Sequence, residues 1–324
     1  MIQALTPALS GFLQIVLFAL ISPAIVGILH WFKARLPLRC GPPLWQSYLN
    51  LMKLLSIHPG QRPETTSWVY VIAPITVFVC YALLSWATPP FYLGFAPLDL
   101  VTVVYLLGLA RFIVALAGMD TGTPFGGMGS SREMFINVLA EPLLILIILA
   151  ITFQRQTPDL MGIITNAFSS QQEISNPIFN LAALLSLWLA LAFVAIMDNS
   201  LLPIDNPSTH LELTMTQKAL QLEYSGRNLA LIEWGEAMRL TFFLTLLGDL
   251  LIARNIPFLP GIPMIVLVPV LYVTKLLIGV GLLALLEITQ IKLRLRRVII
   301  PWVAMLLLAI AAAFLVAAFS VSIH

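Results

Sequence analysis

Long apolar runs alternate with short polar stretches along nearly the whole chain. A membrane span needs about 20 mostly apolar residues to cross roughly 30 Å of hydrocarbon as a helix. Runs of that kind fall at 10–31, 67–87, 98–119, 134–153, 178–197, 229–253, 262–287 and 299–321. Backbone amides in lipid must be satisfied locally, so the runs predict helices and not strands. The pattern predicts an all-α, polytopic membrane protein with eight transmembrane helices. No 20–50-residue repeat or low-complexity tract interrupts it, and 1–324 reads as a single integral membrane domain.

Composition agrees with this pattern. The chain is 60% hydrophobic and only 10% charged, against roughly 25% charged residues in an average soluble domain. Its mean hydropathy is +0.97. These values exclude a soluble enzyme and a disordered chain. A net charge of +2 gives no field that would attract nucleic acid. Cys40 and Cys80 lie far apart, with no CxxC and no Cys/His cluster, so no metal site is expected in this chain. The first residues, MIQALTPALSG, lack a basic leader, so the first helix is expected to be retained.

The few charges set the orientation. Lys33, Arg35, Arg39, Lys53, Arg62, Arg132, Lys218, Arg227, Lys292, Arg294, Arg296 and Arg297 fall in odd-numbered loops, and only Arg155 and Arg254 in even-numbered ones. The positive-inside rule then places loops 32–66, 120–133, 198–228 and 288–298 in the cytoplasm and both termini outside. After the Gly41-Pro42-Pro43 turn, Trp45, Leu49 and Met52 repeat on one helical face, and Gln46, Asn50 and Lys53 on another. This spacing predicts an amphipathic surface helix.

Ionisable groups inside spans are costly and become functional candidates. They are Arg111, Glu141, Glu233, Glu236, Arg239, Asp249, Lys275 and Glu287. Asp249 and Glu287 lie near span ends and read as snorkelling residues. Glu141 is expected buried and partnered. Lys275, in mid-span, is expected in the interior. Glu233, Glu236 and Arg239 occupy one side of a helix, which cannot face lipid. A static Glu236–Arg239 ion pair is one account of them. The other is a proton-carrying series, continued by Asp198, Asp205, Glu212 and Glu223 from the long loop beside it.

That loop, MDNSLLPIDNPSTHLELTMTQKALQLEYSG (197–226), resembles the signature loop of the subunit 1 family of respiratory complex I and its hydrogenase relatives. Asp198, Pro203-Ile204-Asp205, Glu212 and Glu223-Tyr224-Ser225-Gly226 stand at its motif positions. Arg39, Gly41-Pro42, Gln46 and Lys53-Leu54 match the family's first loop, and Glu141 and Glu236 its intramembrane acids. DTGTPFGGMGSSRE (120–133) and the spacing of Lys275 to Glu287 resemble the formate hydrogenlyase and hydrogenase-4 component C branch. The sequence departs from the quinone-reducing branch at Asn50, Leu201, Ser208 and His210. His210 is either a substitute proton carrier or an ordinary loop histidine.

The resemblance implies a non-redox subunit of the cell inner membrane that carries no cofactor of its own. The [NiFe] centre and iron–sulfur clusters would lie in partners: the hydrogenase large and small subunits and an iron–sulfur protein. Antiporter-like membrane subunits and lipid would flank it. It implies a proton pathway through Glu141, Asp198, Asp205, Glu212, Glu223, Glu233, Glu236, Arg239 and Lys275, with no catalytic residue. The docking face for the redox arm would include Arg35, Arg39, Gln46, Lys53, Asp120, Arg132 and Glu133. Alternatives are a quinone-site subunit with a cavity between the first span, the sixth span and the first loop, a stand-alone secondary transporter, and a purely structural anchor.

Overall fold

The computed structural model describes residues 2–58, 66–86, 99–155, 177–201, 215–251, 264–290 and 295–321. The helices are α1 (Ile2–Arg35), α2 (Gln46–Ser56), α3 (Trp68–Leu83), α4 (Leu100–Asp120), α5 (Pro124–Arg155), α6 (Pro177–Asp198), α7 (Gln217–Gln221), α8 (Gly226–Leu251), α9 (Met264–Thr289) and α10 (Ile299–Val321). Each predicted apolar run sits on one of the long helices. Among the described residues, five segments are long and apolar enough to cross a membrane by length and composition: Gly11–Arg35, Trp68–Trp86, Val101–Asp120, Pro124–Ala150 and Val270–Thr289. Leu185–Asp198 and Ile299–Phe314 are shorter apolar helices. The polar residues of α8 set it apart from these.

α8 is nevertheless the hub of the bundle. It packs against α1, α2, α3, α6 and α9, while α4 and α5 close one flank and α10 lies across α5 and α6. Helices in lipid gain little hydrophobic drive by associating, so close packing of small residues and polar ties take its place. Ala73, Ala110, Ala117, Ala190, Ala230 and Ala284 are fully buried between helices. Trp234 Nε1 donates to Ala19 O at 2.7 Å, joining α8 to α1. Trp302 Nε1 donates to Leu139 O at 2.6 Å, joining α10 to α5. Large apolar side chains such as Phe12, Tyr105, Val138 and Phe314 point outward, as expected where the solvent is hydrocarbon.

One boundary differs from the sequence reading. The sequence predicts a loop over 120–133, but helix resumes at Pro124. Pro124 takes the first helical position, where its missing N–H costs nothing. Thr123 Oγ1 accepts from Gly126 N at 2.9 Å as the cap. Only Thr121–Thr123 remain as a turn, with Gly122 at φ +68°. Gly126 and Gly129 let the start of α5 approach Gly118 of α4 and Ala219 of α7.

The amphipathic helix predicted after Pro43 is α2. Its Leu51 is buried, while Trp45, Leu49 and Met52 are exposed along one face. Its C-terminal end is clamped by the start of α8. Arg227 Nε donates to Leu55 O at 3.2 Å. Gly226 has φ +56°, and a Cβ there would lie 2.8 Å from the carbonyl oxygens of Ile57 and His58. Gly226→Ala is therefore expected to displace the end of α2 and cost about 1–2 kcal/mol. The check is thermal melting in detergent together with protease cutting near His58. An unchanged melt and cutting pattern contradicts it.

Candidate functional site

The site is a group of buried charges where α4, α5, α6 and α8 meet. Asp198 ends α6 and is 2% exposed. A carboxylate at a helix C-terminus opposes the macrodipole, so it needs cations from elsewhere. Arg111 of α4 supplies one through an Nη1–Oδ1 ion pair. Arg239 of α8 supplies the other, with Nε 3.9 Å from Asp198 Oδ2. The backbone leaves α6 through Ser200 at φ +48°. Leu201 N donates to Ile196 O at 3.1 Å and Ser200 N to Met197 O at 3.2 Å, the bonding of a Schellman turn. A left-handed serine is locally strained, and such strain collects at functional sites. Here it carries Asn199 Oδ1 to 3.4 Å from Arg239 Nε.

Every nitrogen of both guanidinium groups has a polar neighbour. Arg239 Nη1 donates to Tyr81 Oη at 3.2 Å and Nη2 to Gln217 Oε1 at 3.0 Å. Arg111 Nε donates to Leu107 O at 3.1 Å and Nη1 to Asn137 Oδ1 at 3.3 Å. Arg111 Nη2 also lies 3.9 Å from Glu141 Oε1. Glu141 is thus partnered, as expected, but its side chain is 42% exposed and not buried. Its partner is the buried Arg111 of α4, and position within one span does not report where a neighbouring helix brings its cation.

The static Glu236–Arg239 pair is not formed. Glu236 Oε1 accepts from Gln221 Nε2, and Lys218 Nζ lies 3.7 Å from Glu236 Oε2. α7 therefore serves both groups, with Gln217 on Arg239 and Gln221 on Glu236. Glu223 belongs to an adjoining tie. Its Oε1 accepts from Thr123 Oγ1 at 2.5 Å, and its carbonyl accepts from Tyr70 Oη at 2.6 Å. Tyr70 and Tyr224 stack with centroids 4.4 Å apart. Burial pushes the Tyr224 hydroxyl well above the ordinary phenol range, so it stays a neutral donor to Tyr70 O.

Other candidates fall as follows. Lys275 lies in the interior and its Nζ donates to Asp249 Oδ1 at 3.1 Å. Asp249, read as a helix-end residue, is 7% exposed. Glu287, read the same way, is 4% exposed and ion-paired with Lys33 of α1. Arg35, Arg39 and Lys53 are exposed, and Gln46, Asp120 and Arg132 are half-buried. Asp120 Oδ2 caps α3 by accepting from Ser67 N at 2.6 Å. Arg132 Nη1 donates to Met215 O at 2.9 Å. Glu133 does not share their exposure. It is 3% exposed, with an Oε2 that lacks a hydrogen-bond partner among the described residues. Because helix starts at Pro124, residue 133 has turned inward. Asp205, Glu212 and His210 lie outside the described residues.

A cavity of about 300 Å³ opens between α1, α2 and α8, beside this group. Glu233, Glu236 and Lys218 stand on one wall, and His30, Lys33 and Asn50 on others. Sequence reasoning missed the neutral partners Tyr81, Asn137, Asn199, Gln217 and Gln221, and the Lys33–Glu287 pair. Asn137 inside an apolar run was the one available signal.

Removing Asp198 leaves two buried guanidinium groups without their shared carboxylate. Breaking one side of such a cluster costs about 3–5 kcal/mol. Asp198→Asn is expected to lower the denaturant midpoint in detergent by a corresponding amount. A midpoint equal to the parent's contradicts the assignment.

Comparison with known proteins places this geometry in a family. The model of the family described as NADH dehydrogenase matches residues 10–317. The formate hydrogenlyase subunit 4 of Escherichia coli (strain K12) is 31% identical over 287 residues, covering 87% of this chain and 89% of its own length. Hydrogenase-4 component C of the same organism is 31% identical over 249 residues, covering 76% and 74%. A chain of the membrane-bound sulfane sulfur reductase, an archaeal respiratory membrane complex, shares the fold, with a TM-score of 0.80 over 95% of this chain and 98% of its own length at 19% identity. The protein belongs to the NADH dehydrogenase family of complex I-like membrane subunits.

Proposed function

We propose that this family member is the membrane-anchoring and proton-pathway subunit of a complex I-like membrane-bound [NiFe] hydrogenase of the cell inner membrane. In this reading all eight long helices span the bilayer, both termini face out and the odd-numbered loops face the cytoplasm. The hydrogenase large and small subunits and an iron–sulfur protein dock on those loops through Arg35, Arg39 and Lys53, with charge complementarity setting the register. Antiporter-like subunits extend the assembly sideways. The [NiFe] centre and iron–sulfur clusters reside in the docked partners. Cys40 is exposed after α1 and Cys80 is buried in α3, so the thiols are not paired as a cluster would need.

The observation that carries this reading is the continuity of ionisable and polar side chains from the α7 face into the bundle. The line runs from Lys218 and Gln221 to Glu236, and through Gln217 and Arg239 to Asp198, Arg111 and Glu141. The acids along it, Glu236, Asp198 and Glu141, are the groups able to exchange protons, and the amides and arginines between them hold those acids in place. Events in the docked arm would act first on α7 and the segment preceding it, shifting the partners of Glu236 and Arg239.

Glu141→Gln or Glu236→Gln in the assembled complex is expected to abolish hydrogen-linked proton movement in membrane vesicles. Assembly is checked by co-purification of the metalloprotein partners. Proton movement at the parent rate in an intact complex refutes the pathway.

A second reading has one observation in its favour. The cavity between α1, α2 and α8 lies at the position the sequence assigns to a quinone site. A complex that reduces an added quinone, and loses this on enlarging Leu201, would support it. The family's polar contacts are thinned here at Asn50 and Leu201, and the relatives 31% identical to this chain are hydrogenase and formate hydrogenlyase subunits, which favours the first reading.

A further inference from the structure

The proton line described above reaches the cavity wall at Glu236, one turn from Glu233 on the same wall, and protons arriving there need an onward acceptor. The same cavity is lined by Lys33 of α1. Behind Lys33 its ammonium is ion-paired with Glu287 of α9. The pair straddles a boundary: the Lys33 side chain is 23% exposed, while that of Glu287 is 4% exposed. We propose that Glu287 is the carboxyl group that takes protons out of the cavity toward α9, with Lys33 as its positioning residue. This rests on the reading that the protein conducts protons.

The exchange balances without any outside partner. One proton leaves the carboxylic acid of Glu233 and adds to the Glu287 carboxylate. Glu287 becomes neutral and Glu233 becomes anionic. The Lys33 ammonium then turns from Glu287 to the new carboxylate, so every buried charge keeps a counter-charge throughout. Glu236 is less suited as donor because Gln221 and Lys218 already hold it. His30, one turn before Lys33, also lines the cavity and adds a further titratable group on that wall.

The surroundings of Glu287 favour a carrier over a plain structural pair. α9 carries two charged residues along its length, Glu287 and Lys275. They lie about 18 Å apart along the helix at 1.5 Å per residue. Between them α9 presents Ile278, Leu282, Leu283 and Leu286 to an apolar groove against α6 and α8. An ion pair adds little to helix packing that apolar residues could not supply. Lys33–Glu287 instead ties α9 to a lysine that itself lines the polar cavity.

The test uses vesicles holding the assembled complex and measures protons moved per hydrogen released. The double variant K33M/E287Q removes both charges together and leaves none uncompensated. It is expected to lose proton movement, whereas E287D and K33R are expected to retain it. E141Q serves as the reference. If K33M/E287Q assembles and keeps the parent ratio while E141Q has lost it, the assignment of Glu287 is overturned and the pathway reading stands. If E141Q also keeps the parent ratio, the pathway reading itself fails. Should K33M/E287Q not assemble, infrared difference spectra of the E287D complex during turnover decide: a shifted carboxyl C=O band supports the assignment, and an unshifted one overturns it.

Discussion

Asp198 shared between Arg111 and Arg239 is the contact on which the bundle's interior depends. Two guanidinium groups cannot stay ionised in low dielectric without counter-charge and a full set of acceptors. One carboxylate balances one of them. Glu141 approaches to 3.9 Å and supplies the second negative charge. The remaining donors go to Asn137, Asn199, Gln217 and Tyr81. These partners come from α3, α4, α5, α6, α7 and α8, so the relative positions of six helices are fixed by one charge-balance requirement.

The same requirement explains why α8, the least apolar of the long helices, lies at the centre. Its ionisable side would be intolerable against lipid, and it is enclosed by α1, α2, α3, α6 and α9. Burial of α8 brings Glu233 and Glu236 to the cavity wall and Arg239 to Asp198 on successive turns. Packing and the proposed proton chemistry thus come from one arrangement. A polar helix can be held in the membrane only by helices able to answer its charges, and those answering groups are the proposed pathway.

The all-α fold was largely legible in the sequence because long apolar runs report directly on long helices, five of which are apolar and long enough to cross a membrane among the described residues. The amphipathic α2 was legible for the related reason that its two faces repeat at helical spacing. The 120–133 segment was misread because it is too polar to join either apolar run, and run length alone does not show where helix resumes. The site was legible only in its ionisable members. Lys275 could be placed inside because it sits in mid-span. Asp249 and Glu287 lie near helix ends as read but do not snorkel, since a residue's height along its own helix says nothing of a cation supplied by another. Glu133 followed its segment into the interior once that segment became helix. The neutral amides and Tyr81 carried too little polarity to stand out, yet they accept from every nitrogen of Arg239 and one of Arg111.

The buried ion pairs join different helices: α1 to α9, α4 to α6, α6 to α8, and α8 to α9. An ion pair between helices responds to their separation, whereas one within a helix does not. Coulomb energy falls with distance and is weakly screened in a dry interior. Small shifts of α6 or α7 therefore change the balance between the carboxylates and their cations much more than similar shifts would at a wet surface. α7 is five residues long and donates from Gln221 while accepting at Gln217. It has little secondary structure of its own to resist displacement. In the proposed reading, a short element that holds one acid and one guanidinium is suited to turn movement at the docking face into a change of proton occupancy within the bundle.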